Sequence, residues 1–376
     1  MTTPGMVAKL LADYDGFGLR RAGTRGDHGC ATWLADLLRE ARIEHDSVAV
    51  RLQTRSVLDA FVEIDGLRID GLPLFDGPDT SELGVRGALG PADAAGEIGF
   101  LDVDPGAASI KGQPLEALRS ASMHRALILA TNGAAGSLAP VNAQYFTAPF
   151  GPPGLQVAGM HADHLRDSAA RRRMARVVVR SDRTPGTSAN LFARIGAAPQ
   201  VVLLTPRTSW YESTAERAGG VIVWLAGLTH AARNRIAVRG IATCGHELGH
   251  LGLERVLHDD VALVREAPLW IHLGANLGCA SDGRITLRAS NPHHATRLRE
   301  LLVANQYPGT LIEVEPIDQA MGEARDLALH GARVLSVIGR NAHFHAPSDR
   351  WPGNVNAVWV ASIAAAVCAW LDGTAG

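Results

Sequence analysis

Residues 245–254 read Gly-His-Glu-Leu-Gly-His-Leu-Gly-Leu-Glu, and two ways of folding this stretch put different chemistry in the same place. On one continuous helix, His246 and His250 lie four apart on a single face with Glu247 beside them. Two imidazoles then hold a metal ion and the carboxylate acts on a bound water. Alternatively, the run 236–242 is a strand that ends in a tight turn at Gly245. His246 and Glu247 then sit on a loop above a sheet, where α/β proteins keep their reactive groups. Gly245 and Gly249 favour the second parse, since each glycine costs about 1 kcal/mol inside a helix.

Other candidates lie elsewhere in the chain. Asn341-Ala-His-Phe-His-Ala-Pro-Ser-Asp349 offers His345 as a loop imidazole, with Asp349 either orienting it or capping a turn. Arg207 stands just beyond an apolar run and is followed by Trp210 and Tyr211, an aromatic pair suited to a pocket wall. His272 sits in a strand-like segment whose period does not say which face it takes.

Periodicity supplies the elements that must position these groups. Helical patterns cover 7–14 and 27–41, around a glycine-punctuated loop at 16–26, and strand-like runs follow at 47–52 and 60–64. Between about 55 and 185, short strand signals at 98–103, 126–130 and 176–180 alternate with Gly/Pro/Asp loops. Helix signal there is confined to 162–173, which reads as a β-rich inserted module. Strands at 201–205, 236–242, 269–273, 310–314 and 334–338 then alternate with helices at 218–233, 247–257, 292–304 and 317–329. That rhythm predicts an α/β fold with a mixed, mostly parallel sheet flanked by helices. Residues 1–54 and 186–376 are expected to form one α/β unit, with 55–185 inserted into it.

With 376 residues there is room for two compact domains, and a net charge of -2 gives no electrostatic case for nucleic acid or an anionic membrane. Four cysteines without paired spacing read as reduced thiols. The longest apolar stretch, 357–371, contains Ser362 and falls short of a membrane span of about 20 residues. The expectation is a soluble, cytoplasmic protein, with self-association left open.

The order of landmarks resembles the co-catalytic zinc aminopeptidase family, which includes the animal glutaminyl cyclases. Arg20-Arg-Ala-Gly-Thr24 is similar to the family's R-x-x-G-T opening, and Phe344-His-Ala-Pro-Ser-Asp349 to its closing motif. The stretches 154–165 and 187–196 look like the exit from a protease-associated insert. Most of the family's five metal-binding positions are altered. Arg207-Thr-Ser209 replaces H-x-D, Glu216-Arg-Ala-Gly-Gly220 replaces D-N-x-S-G, His246-Glu247 replaces the Glu-Glu pair, and 273–278 lacks the late Asp. His345 is retained.

The resemblance implies a reduced, mononuclear site in which Glu216, Glu247 and His345 hold one divalent ion, zinc first, with manganese or iron as alternatives. His246 takes the general-base position, Arg207 orients an anionic substrate, Tyr211 lines the pocket and Asp349 supports His345. The implied activity is metal-dependent hydrolysis of a C–N bond in a small molecule or short peptide. Two alternatives stand beside it: a catalytically inactive relative used for binding or scaffolding, and a zinc site built on the HExxH with His250 as ligand. Arg207 has a structural alternative too, a salt bridge to Glu212 or Glu216.

Overall fold

The computed structural model describes residues 3–94, 96–197 and 199–373. Its strands are β1 (Glu44–Ile64), β2 (Leu67–Pro73), β3 (Val85–Pro91), β4 (Ile98–Val103), β5 (Ala126–Thr131), β6 (Gly154–Ala158) and β7 (Met174–Ile195). They continue with β8 (Val201–Pro206), β9 (Val238–Thr243), β10 (Trp270–Leu273), β11 (Ile285–Ala289), β12 (Ile312–Pro316) and β13 (Val334–Gly339). All join one connected sheet in the order β1-β2-β6-β5-β4-β3-β7-β9-β8-β10-β13-β11-β12.

The run β9-β8-β10-β13 is parallel throughout. It is buried along nearly its whole length, polar residues such as His272 and Ser336 included, because both faces are covered. Alternate residues of β8 serve opposite cores: Val201 and Leu203 pack under the helices Gly219–Asn234 and Ala357–Asp372, and Val202 and Leu204 under Leu251–Asp259 and Gly322–Leu329. This is the period of two that a strand imposes on its side chains.

β1 and β7 form an antiparallel ribbon from the Glu44–Arg194 pair to the Ile64–Ala175 pair, irregular only between Val57 and Asp59. Thr54 lies opposite Thr184, so the ribbon runs unbroken through residues 54 and 184. At one end β7 pairs with β9 in the main sheet; at the other the ribbon joins β2 and β3. Strands β3 to β6 run parallel over a separate apolar cluster that includes Val62, Ile128, Val157, Leu165 and Val177.

Several expectations need correcting. The runs 47–52 and 60–64 are one strand, β1. The segment expected to hold helix only at 162–173 also contains the helices Pro105–Ala108 and Pro114–Ala121. Each has proline in its first turn and is too short to show apolar periodicity. β11 was not anticipated: it is five residues long and antiparallel to β13. The expected helices at 247–257 and 317–329 each break into a 3-10 turn followed by a shorter helix. Among the described residues no helix is long and apolar enough to cross a membrane.

Glycine is required where the helix Gly219–Asn234 begins, because a Cβ on Gly219 would lie 1.9 Å from the Leu277 carbonyl oxygen. Gly219→Ala should therefore cost about 1–3 kcal/mol in urea unfolding. Gly5→Ala, at an exposed helical position with nothing within 4 Å, should gain about 0.4–1 kcal/mol. Equal midpoints for the two variants would contradict the packing account.

Candidate functional site

The carboxyl ends of β8, β9, β10 and β13 open onto a cavity of about 550 Å³. Pro206, His246, Asn276 and Gly339 line it from those strand ends. Asp104, Asn132 and Asn142 line the opposite side, the first two directly after β4 and β5, and the helix Gly322–Leu329 supplies Gly322, Arg325 and Asp326. A crevice outside the carboxyl ends of parallel strands is where open α/β sheets bind ligands.

After β9 the chain turns through left-handed conformations at Gly245 (φ 67°), Gly249 (φ 81°) and His250 (φ 58°), so 246–250 is not one helix. A Cβ on Gly249 would come 2.8 Å from the Gln144 carbonyl oxygen, because the 55–185 segment closes against this loop. The Ala143 N–H donates to the Glu247 carbonyl at 2.8 Å. This overturns the helical reading of HExxH. His246 and His250 do meet, with ring centroids 4.4 Å apart, but each is tied through Nδ1 to the helix beside them. His246 Nδ1 lies 3.3 Å from Glu323 Oε1, and His250 Nδ1 lies 2.6 Å from Asp326 Oδ2.

Two further imidazoles are held in the same way. His272 Nδ1 lies 3.0 Å from Ser336 Oγ, and His345 Nδ1 lies 2.6 Å from the Pro140 carbonyl. A carbonyl only accepts, so His345 carries its proton on Nδ1. Nε2 of both rings is buried without a hydrogen-bond partner among the described residues. Burial, then the Arg217 guanidinium, holds His246 well below the usual histidine range and His272 at about 3.

Arg217 is the charge at the centre of this group. It lines the cavity at 1% exposure, whereas Glu216 and His345 behind it are fully buried and do not line it. Its Nε donates to the Thr208 carbonyl (2.9 Å), and Nη2 stands 2.7 Å from Glu216 Oε1. His345 Nε2 is 3.4 Å from that same oxygen. Burial opposes ionisation of Glu216, but Arg217 and then His345 outweigh it and keep the carboxyl at about 2. Burial has the upper hand on Glu323, whose carboxyl is raised to about 7.

The other expected site residues lie elsewhere. Glu247 turns away from the cavity: its carboxylate accepts the Ala22 N–H (2.6 Å) and the Thr208 hydroxyl (2.8 Å), tying the Arg20–Thr24 loop to the strand ends. Arg207 is fully enclosed and does not line the cavity. It pairs with Asp27 at 2.5 Å, not with Glu212 or Glu216, and donates also to Ser188 and to the Ala189 carbonyl. Although burial would lower its pKa, Asp27 keeps it above the ordinary value. Tyr211 packs against the apolar cluster of Phe75, Phe146 and Trp210, away from the cavity. Asp349 accepts the N–H groups of Ala215 and Glu216 (3.0 Å each), so it caps the start of the Thr214–Ala218 turn rather than orienting His345.

Solved structures of the same shape accompany this geometry at low identity. A zinc aminopeptidase from Bacillus subtilis superposes with a TM-score of 0.73 at 15% identity, covering 98% of this chain and 95% of its own. A peptidase precursor from Shewanella amazonensis gives 0.73 at 15%, covering 99% and 96%. A Porphyromonas gingivalis glutaminyl cyclase gives 0.52 at 10%, covering 99% and 98%. The chain has the zinc aminopeptidase fold. No family model and no curated protein matches its sequence.

That fold implies zinc, and the residues present do not fit it. A catalytic zinc takes three protein ligands and keeps one position open. Among the described residues no three His, Cys, Asp or Glu side chains converge to hold a metal ion. Glu216 and His345 face each other, but Glu247 is turned away and a guanidinium stands against Glu216. The alternative ligand His250 bonds Asp326 through Nδ1, and among the described residues no set of three donors gathers around it. Sequence reasoning missed Arg217, Glu323, Asp326 and Asn276. Arg217 was detectable as a charge embedded in an otherwise small and apolar helix start; the acids of 323–326 gave no signal, because a charged helix face is ordinarily solvated.

Two predictions follow from the buried charges. Arg207→Met leaves Asp27 enclosed and unpaired, so it should cost about 3–5 kcal/mol in denaturant unfolding. A variant that unfolds like the parent would overturn the assignment of Arg207 to the core. The second concerns Glu323, whose folded pKa lies above its unfolded one. Its contribution to stability is therefore full below about 4.5 and is lost as pH rises through about 7. Glu323→Gln should flatten the fall in melting temperature between pH 5 and 8.

Proposed function

We propose that the cavity is the working site, and that the protein hydrolyses an amide-type C–N bond in a small molecule or short peptide there, with His246 as proton acceptor. The observation that carries this reading is His246 on the cavity wall, paired with Glu323 buried behind it. Nδ1 is held by the carboxylate and Nε2 has no partner among the described residues. In this reading Nε2 takes a proton from water as its oxygen attacks the carbonyl carbon. The imidazolium then returns that proton to the leaving nitrogen as the C–N bond breaks. Since burial and then Arg217 keep His246 neutral, the base form is present throughout the neutral range.

An anionic substrate suits the cavity, but Arg325 replaces Arg207 as its partner. Arg325 lines the cavity with no hydrogen bond or ion pair among the described residues. The acids beside it are committed: Asp326 to His250, and Asp104 to the Ala107 N–H. The four cysteines stand as free thiols, which suits a reducing compartment such as the cytoplasm. The segment 55–185, which resembles a protease-associated insert, supplies one wall.

A second reading, binding without turnover, is favoured by the dispersal of the expected metal donors. N-acyl amino acids and dipeptides assayed for hydrolysis separate the two. The expected result is turnover that falls on the acid side near pH 7, as the Glu323 carboxylate that holds Nδ1 is protonated, and a loss of about 10²-fold or more in His246→Asn with the fold intact. Saturable binding of these compounds with no turnover would establish the second reading instead.

A further inference from the structure

We infer that Arg217 is the resident cation of this site: its guanidinium stands where the resemblance assigns a metal, and it binds the carbonyl oxygen of an amide whose N–H is accepted by Asn276. The inference rests on the cavity being a small-molecule site and names the group bound there. Of the three residues that the resemblance assigns as ligands, Glu216 and His345 do not line the cavity, whereas Arg217, in contact with Glu216, does. Arg217 Nη1 and Nη2 are both buried without a hydrogen-bond partner among the described residues, since the contact with Glu216 is close in distance but misaligned for donation. A guanidinium cannot shed its charge, and buried donors left unpaired are costly. A ligand oxygen relieves that cost.

The complementary acceptor is beside it. The Asn276 N–H donates to the Glu216 carbonyl at 3.0 Å, which anchors Asn276 next to Arg217 in a left-handed conformation (φ 66°). Its Nδ2 donates to the Gly339 carbonyl at 3.3 Å. That contact requires a donor, so the side-chain amide is oriented and Oδ1 is the atom left over. Oδ1 is buried without a partner, and Asn276 lines the cavity. Unpaired donors on Arg217 next to an unpaired acceptor on Asn276 form the complement of a C=O and N–H together. An ester or ketone satisfies only Arg217 and leaves Asn276 Oδ1 unpaired, the kind of mismatch by which polar sites discriminate. In hydrolysis the carbonyl oxygen gains negative charge as water adds to carbon, and the fixed guanidinium stabilises that charge. The proton from water goes to His246, and the electron pair of the breaking C–N bond leaves with nitrogen.

The experiment measures metal content and binding, with turnover recorded separately. Protein purified without chelators or a metal-affinity tag is analysed for metal, then titrated calorimetrically with N-methylbutanamide and with its ester counterpart, methyl butanoate. Because Arg217→Met alone leaves Glu216 charged and enclosed, the charge-balanced Arg217→Met/Glu216→Gln variant is tested beside it. The expected results are metal well below one equivalent, amide binding at least about tenfold tighter than ester, and loss of about tenfold or more in both Arg217 variants. Asn276→Leu should bring the amide down to the level of the ester. Stoichiometric zinc removed by His345→Ala would overturn the inference, as would amide binding unchanged in the double variant or wild-type protein that binds neither compound. Amide-selective binding without turnover leaves this inference standing and sinks hydrolysis; turnover that survives loss of Arg217 does the reverse.

Discussion

Arg217 keeps its charge at every pH the protein experiences, and at 1% exposure that charge has to be answered by what surrounds it. Glu216 answers it directly, and its own carboxyl is held near 2 as a result. His246 and His272 answer by remaining neutral, since burial and then Arg217 disfavour their protonation. Neutrality leaves each ring with one donor and one acceptor nitrogen. Each of these two rings is fixed by the partner of its Nδ1, Glu323 for His246 and Ser336 for His272. One buried cation thus keeps Glu216 charged and, after burial, disfavours charge on these two rings, whose Nδ1 partners set how they are turned.

The backbone around the cavity bears the cost of this arrangement. Ser213, His250, Asn276 and His345 are all left-handed, a conformation that disfavours non-glycine residues by about 1–2 kcal/mol each. Ser213 precedes the turn that carries Glu216 and Arg217, and the other three contribute side chains to the cluster directly. Strained residues persist only where their surroundings over-determine them. Here that is visible in the bonds that pin each loop: Asp349 to the Ala215 and Glu216 N–H groups, Asn276 to the Glu216 carbonyl, and Ala143 to the Glu247 carbonyl.

The parallel run β9-β8-β10-β13 was legible because strands buried on both faces read as short apolar runs spaced by helices, of which Val201-Val-Leu-Leu is the clearest. The short helices at 105–108 and 114–121 were not, since neither is long enough to display a 3.6-residue period. The loop position of His246 could be read from Gly245 and Gly249, because positive φ there follows from glycine flanking a strand end. Side-chain direction could not. Glu247 and Arg207 stand on the same loops as cavity residues, yet both face inward, to Ala22 and Asp27, partners more than 170 positions away in sequence. No local pattern records such a partner.

The persistence of Glu216 and His345 has an explanation that needs no metal. The Glu216 carbonyl holds Asn276, its N–H is capped by Asp349, and its carboxylate neutralises Arg217. His345 donates to Pro140, which joins the strand ends to the 55–185 segment, and its other nitrogen faces Glu216. Removing either residue would leave a buried charge or carbonyl without its partner, a penalty independent of any reaction. Matching residues at two ligand positions are therefore weak evidence for the ligand itself. The informative position is the one next to Glu216 that lines the cavity, and there the chain places a cation of its own.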